Sequence, residues 1–351
     1  MPSVHLVHPV HPVQNCVSRD LCVLSSDRTN FRSAAIKFVL AGVLIWAMIH
    51  FRMLDLSVLL RIASRPAHLA AAAALLMAGL LLTVVRWRAL LAIQGIRVPH
   101  AQAVRLGFIG FFFSSVIPGA VSGDAVKAWY VAREHGQTAP AIASVLLDRF
   151  IGLYTMVLAA AAAIAICWHG GQYRDAWAAP GIAALSWSII ALSAAMTLFS
   201  LALLSRRLKG SRALAAILRR LPLGSHVAKL HDAVHLNRGR LGSLGLIVVL
   251  SVAAQVPMIL SNFVIGRAIG DDGLSLPMYF FLASVGLVIN SIPVMPGGLG
   301  TGELGYAMLF RAFGCTIGAE IIAVWHILFF GWSLIGLAFY VKGRRHAPAM
   351  G

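Results

Sequence analysis

Long apolar runs limit what this chain can fold into. Several stretches exceed about 18 residues with few charges, the length a helix needs to cross roughly 30 Å of hydrocarbon. In that medium each backbone N–H and C=O must be satisfied internally, so spanning segments are helices or strands of a closed barrel. Runs this long belong to helices, and the expected fold class is an all-α polytopic membrane protein. Composition agrees: 59% of the 351 residues are hydrophobic, 12% are charged, and the mean hydropathy is +0.83. A net charge of +17 would suggest nucleic acid for a soluble protein. Here it marks a cytoplasmic face in contact with anionic headgroups, and no nucleic-acid partner is expected.

About six full spans are expected, at residues 34–51, 67–85, 139–168, 182–204, 241–265 and 317–341. Residues 53–65 read as an amphipathic interfacial helix. Arg86, Trp87 and Arg88 read as an anchor at the end of the second span. Residues 1–33, with a His-Pro-Val repeat and no apolar core of the signal-peptide kind, are expected to form a disordered cytosolic tail or an over-long gene start. Residues 34–341 then form one transmembrane domain, and 342–351 a basic cytosolic tail. The segment 205–240, with nine Lys and Arg, is a basic cytosolic linker. Cys16, Cys22, Cys167 and Cys315 show neither metal-ligand nor disulfide spacing, and nothing calls for a metal or a cofactor.

Two apolar runs are too short to cross and end in Pro-Gly breaks followed by a carboxylate: FFFSSVIPGAVSGD (111–124) and NSIPVMPGGLGTGE (290–303). Pro118 and Pro296 lie 178 residues apart, as do Gly119 and Gly297, whereas Asp124 and Glu303 lie 179 apart. This is an internal duplication, with units at about 67–168 and 241–341. Each break reads as a re-entrant hairpin.

Counting charges fixes an orientation. With six spans, two returning hairpins and a cytosolic N-terminus, 22 of the 29 Lys and Arg fall on the cytosolic side and 6 outside, with Arg149 inside a span. That bias predicts cytosolic termini in a bacterial-type inner membrane. The hairpins then enter from opposite sides, which makes the units an inverted repeat of the kind found in alternating-access transporters.

Taken together, IPGAVSGDAVKAWYVAREHG (117–136), ASVLLDRFIGLY (143–154) and IPVMPGGLGTGELGYAMLF (292–310) resemble the lysylphosphatidylglycerol synthase transmembrane-region family of flippase-like membrane proteins, over roughly residues 34–341. In relatives this module is fused to a soluble aminoacyl-transfer domain and moves the modified lipid across the bilayer. The resemblance implies the lipid-translocating half without the synthase half.

The chemistry centres on the two breaks. Ser122 and Thr301 offer hydroxyl caps where a helix restarts, and a helix start within a membrane suits a lipid phosphate. Ser114 and Ser115 precede the first break; Pro118, Gly119 and Gly123 form it. Lys127 and Arg149 can add positive charge, Arg149 in bidentate fashion. In the second break, Asn290 leads into Pro296, Gly297, Gly298 and Gly300. Asp124 and Glu303 would hold a cationic headgroup or a coupling proton, or else only cap their helices and pair locally, Asp124 with Lys127. Asp148 and Arg149, adjacent and so about 100° apart on a helix, each need a partner elsewhere in the bundle. His326 occupies the repeat position of Asp148 and is either a proton relay or a structural histidine.

The partners implied are anionic or phosphate-bearing membrane lipids, with a homo-oligomer left open. The functional expectation is a flippase-like transporter of a phospholipid, an aminoacylated lipid or a polyprenyl-phosphate cargo. A non-transporting accessory protein of lipid or envelope biosynthesis is the alternative. A membrane-embedded lipid-modifying transferase fits less well: Asp124 and Asp148 make a poor aspartyl dyad, and no HExxH or GxSxG motif is present.

Overall fold

Apolar runs punctuated by Pro, Gly and basic residues become ten helices among the described residues. The computed structural model describes residues 62, 64–117, 122–171, 173–204, 241–292 and 298–344. Five helices are long and apolar enough to cross a membrane: α1 (Pro66–Ile93), α4 (Thr138–His169), α6 (Pro180–Leu204), α7 (Leu241–Ile269) and α10 (Gly318–Arg344). Four shorter helices pair off as α2 (His100–Val116) with α3 (Ser122–His135), and α8 (Leu276–Asn290) with α9 (Thr301–Arg311). A single turn, α5 (Arg174–Ala178), bridges α4 and α6. The chain is a multi-pass helical membrane protein. The expected span at 34–51, nearly all of the interfacial helix at 53–65, the linker at 205–240 and the residues Pro118, Gly119, Pro296 and Gly297 lie outside the described residues.

One expected boundary is corrected. The anchor Arg86–Trp87–Arg88 does not end a span at residue 85; α1 continues to Ile93. The apolar residues Ala89–Ile93 prolong the helix. Trp87 is buried, and buried Arg86 is neutralised by a carboxylate on α4, so its charge does not need the interface.

The two halves share an order of long, short, short and long helices, in α1–α4 and again in α7–α10. Contacts between them are reciprocal. The first helices of the two halves, α1 and α7, pack most extensively on each other. The second helix of each half packs on the fourth of the other, α2 on α10 and α8 on α4. Helices α1 and α7 run antiparallel. Arg65 donates to the Arg267 carbonyl at 3.3 Å, Ser261 donates to the Ala72 carbonyl at 2.9 Å, Gly79 lies on Ala254 and Met258, and Leu90 clusters with Ile247. Positions ascend along one helix as they descend along the other.

Each short pair is an antiparallel hairpin. In the first, Gln102 bonds Glu134 near the open end, and Gly110 packs on Lys127 and Gly123 nearer the tip. A Cβ on Gly123 would collide with the Gly110 carbonyl and the Ser114 hydroxyl, so only glycine permits this closeness. Helix α2 lies along α10, with the Phe108 backbone against Gly336 and the Phe111 ring 6.0 Å from Phe329. Its C-terminal part therefore sits beside the middle of a 27-residue helix. In the second hairpin, Gly286 packs on Tyr306 and Gly305 on Ile289.

At the opposite end of the bundle, Tyr173 takes a left-handed φ of 62°. Its hydroxyl donates to the Gly273 carbonyl at 3.0 Å and accepts from the Ser275 N–H at 3.2 Å, tying the α4–α5 connection to the α7–α8 turn. Buried Asp271 receives the Gly273 and Leu274 N–H groups and the Tyr279 hydroxyl, which fixes the entry of α8.

Candidate functional site

Around the first hairpin, four charged side chains are drawn below the surface. Asp124, in the first turn of α3, is 3% exposed and Lys127 6%. Lys127 Nζ lies 2.7 Å from Asp124 Oδ1 and 5.2 Å from the centre of the Trp87 ring, a cation–π arrangement. The other carboxylate oxygen, Oδ2, accepts from Arg149 Nε. Helix α3 thus turns its carboxylate and its lysine inward.

Arg149 differs from its neighbours in exposure. Its side chain is 49% exposed, and it stands 11 residues into α4, about 17 Å along the axis at 1.5 Å per residue. A guanidinium within a helix long and apolar enough to span a membrane is costly unless it is paired or faces water or a headgroup. Asp148 turns the other way. Its Oδ1 accepts from Arg86 Nε at 2.8 Å, and its carbonyl accepts from Arg86 Nη2 at 3.3 Å. The adjacent pair therefore serves two partners, Arg86 on α1 and Asp124 on α3. The formal charge of Asp124, Lys127 and Arg149 together is one positive unit.

The second hairpin holds a different set. Glu303 is 3% exposed and His326 6%. Imidazole Nδ1 lies 2.9 Å from Glu303 Oε1, and Nε2 lies 3.0 Å from Asn290 Oδ1. Glu303 Oε2 accepts the Gly300 N–H at 2.5 Å. The carboxylate reach-back of a capping box is thus in place at the start of α9, with Gly300, not Thr301, as the N-cap. The expected Thr301 cap is corrected: Thr301 is the first helical residue, and its hydroxyl donates to the Gly298 carbonyl at 3.0 Å. Gly298 has φ +79°, and its Cα lies so near Asn290 that a side chain would strike both the amide and the carbonyl of that residue. Gly302 is equally close to Asn290 and faces His326 Cε1.

Of the residues singled out in the sequence, the structure brings Ser114, Gly123, Asp124, Lys127 and Arg149 together at one hairpin, and Asn290, Gly298, Gly300, Glu303 and His326 at the other. Ser115 donates to the Phe111 carbonyl at 2.9 Å, a local bond within α2. Ser122 donates to the carbonyls of Phe113 and Ile117 at 3.3 and 3.2 Å, holding the end of α2. The residue that sequence reasoning missed is Arg86, the partner of Asp148. The available signal was an arginine followed by a further apolar turn, which places it inside the helix. Among the described residues, no group of three His, Cys, Asp or Glu side chains could hold a metal ion. Cys167 and Cys315 are buried thiols.

The family model for the lysylphosphatidylglycerol synthase transmembrane region matches residues 34–339, and the chain belongs to that family. The family places it among membrane proteins of lipid or envelope biosynthesis. No curated protein and no solved structure matches the chain.

Proposed function

We propose that this member of the lysylphosphatidylglycerol synthase transmembrane-region family moves a phosphate-bearing lipid across the cytoplasmic membrane by alternating access. The carrying observation is Arg149, a half-exposed guanidinium deep along α4, held by a buried carboxylate at the restart of a broken helix. A paired guanidinium whose side chain is half exposed can take up a lipid phosphate in bidentate fashion. The single positive unit of the Asp124–Lys127–Arg149 cluster favours an anion.

The architecture supports the transport reading. Equivalent helices α1 and α7 pack antiparallel, and contacts between second and fourth helices are exchanged between the halves. Both features are expected of an inverted repeat about an axis in the membrane plane. On this reading each short pair is a re-entrant hairpin, the first opening to the cytosol and the second to the outside, with both termini cytosolic. Broken backbone at that depth requires cover by protein or a water-filled cavity. The reading is of a carrier, which fits Asp124 and Asp148 each being engaged by their own cations.

The test is movement of fluorescent phospholipids in proteoliposomes, beside native mass spectrometry of the lipids retained by the purified protein. Wild type is expected to accelerate exchange and to retain one enriched lipid class. Arg149→Ala is expected to lose both. Equal lipid mixtures on the two proteins, with no exchange by either, would replace transport with an accessory role.

A further inference from the structure

The two hairpins hold their carboxylates by different chemistry. Asp124 is paired with an ammonium and a guanidinium, Lys127 and Arg149. Glu303 is paired with an imidazole, the side-chain type whose free form titrates within the physiological range. We infer that the second hairpin carries a proton-binding site, His326 held between Glu303 and Asn290, whose occupancy sets the position of the Asn290 amide at the end of α8.

The hydrogen-bond inventory carries the argument. A neutral imidazole has one N–H and one acceptor nitrogen, whereas an imidazolium has two N–H groups. Here Nδ1 faces a carboxylate oxygen at 2.9 Å and Nε2 faces an amide oxygen at 3.0 Å. Two acceptors suit the imidazolium. The second oxygen of Glu303 accepts from the Gly300 N–H, so both oxygens act as acceptors, as suits an ionised carboxylate, and the proton belongs on the ring.

Loss of that proton leaves one ring N–H, which stays on Glu303. Nε2 then needs a donor, which Asn290 can supply only by turning its amide group over. The amide cannot turn without consequence. Its oxygen already rests against Gly298 and Gly302, the residues on either side of the restart of α9. Protonation of one ring thus bears on the packing between the two arms of the hairpin.

No other charged group shares this contact among the described residues. Helix α9 presents Glu303, and α8 the neutral Asn290. Helix α7 reaches the hairpin through Asn262, which accepts from the Tyr306 hydroxyl at 3.2 Å. Helices α1 and α2 meet α10 through the Ala73 carbonyl and Phe111. The other carboxylate on α10, Glu320, lies six residues before His326. Among the described residues no histidine pairs with Asp124 in the first hairpin, so the site belongs to the second hairpin. On the transport reading, on which only this last step rests, the bound proton is the coupling ion.

The test places a cysteine at Ser291, the exposed residue that follows Asn290, in the full chain reconstituted in nanodiscs. A hydrophilic maleimide is applied across the imidazole range, with the chain lacking that cysteine as blank. The same cysteine in His326→Gln corrects for thiolate formation. The expected result is a several-fold change in labelling ratio between wild type and His326→Gln as the pH falls through the imidazole range. Asn290→Asp, which adds a negative charge beside the ring, is expected to move the midpoint to higher pH by about one unit or more. A ratio that stays flat with pH would overturn the site. In proteoliposomes, an imposed pH gradient is expected to speed lipid movement by wild type and not by His326→Gln. Absence of all lipid movement would refute transport while leaving the labelling result to decide the proton site.

Discussion

Two arginines in this membrane domain sit beside two carboxylates, yet their surroundings assign them opposite consequences. Arg86 is buried with Asp148 and bonds both its side chain and its carbonyl. Removing one member of such a buried pair strands the other charge, at a cost of about 3–5 kcal/mol, whereas replacing both with apolar residues costs far less. Arg86→Ala is therefore expected to lower the thermal unfolding temperature sharply, and Arg86→Met with Asp148→Leu to recover most of the loss. Equal destabilisation by the single and double variants would show that the pair does not act as a unit. Arg149→Ala has the opposite signature. Asp124 keeps Lys127 at 2.7 Å, and half of the Arg149 side chain is already exposed, so folding is expected to survive while lipid movement and retention are lost. Sequence alone separated these residues only in part. That Asp148 and Arg149 point apart follows from helix geometry. That Asp148 answers to Arg86 does not, because the partner lies 62 residues away on another helix and looked like an interfacial anchor. Likewise the 178-residue offset set His326 against Asp148, but its contact with Glu303 gives it the place that Arg149 holds beside Asp124.

At the scale of the elements, the short helices were legible as short because Pro-Gly pairs interrupt runs that would otherwise cross. What could not be read was how closely their arms approach. The closeness depends on glycines whose neighbours come from the opposing arm, Gly110 for Gly123 and Asn290 for Gly298. Gly123→Ala pushes a methyl group into the Gly110 carbonyl and the Ser114 hydroxyl. Gly298→Ala does the same against Asn290 and adds about 1–2 kcal/mol for a left-handed backbone in an L-residue. Both are expected to lower thermal stability and to reduce lipid movement together, since the hairpin cannot close on its own charged residue. Gly331→Ala on α10 is the control. Nothing lies within 4 Å of its added methyl, and alanine is favoured over glycine within a helix by roughly 0.5–1 kcal/mol. Its unfolding temperature is expected to stay level or rise. A loss at Gly331 equal to that at Gly123 would mean that the chain responds to helix propensity in general and not to contact between the arms.

For the molecule as a whole, the decisive relation is the direction of α1 against α7. Two copies of one unit side by side with the same orientation would set equivalent helices parallel, and both hairpins would then open on one face. On the repeat reading, antiparallel packing from Arg65 against Arg267 to Leu90 against Ile247 turns the copies end over end. The hairpin mouths must then lie at opposite ends, with exposed His100 at the start of α2 and Asp272, whose side chain is 92% exposed, just before α8. The charge bias predicts the absolute sense, with the His100 end expected in the cytosol. A cysteine at Asp272 is expected to react with an impermeant maleimide in intact spheroplasts, and one at His100 only after the membrane is opened. Labelling of both in intact spheroplasts would place the two mouths on one face and end the alternating-access reading. Labelling of His100 alone would keep the inverted relation and reverse the molecule in the bilayer, moving the Arg149 cluster to the outer side and the proton site to the cytosol. On the proposed reading, the helix packing thus accounts for the relation between the hairpins, and the distribution of Lys and Arg predicts which of them meets the cytosol first.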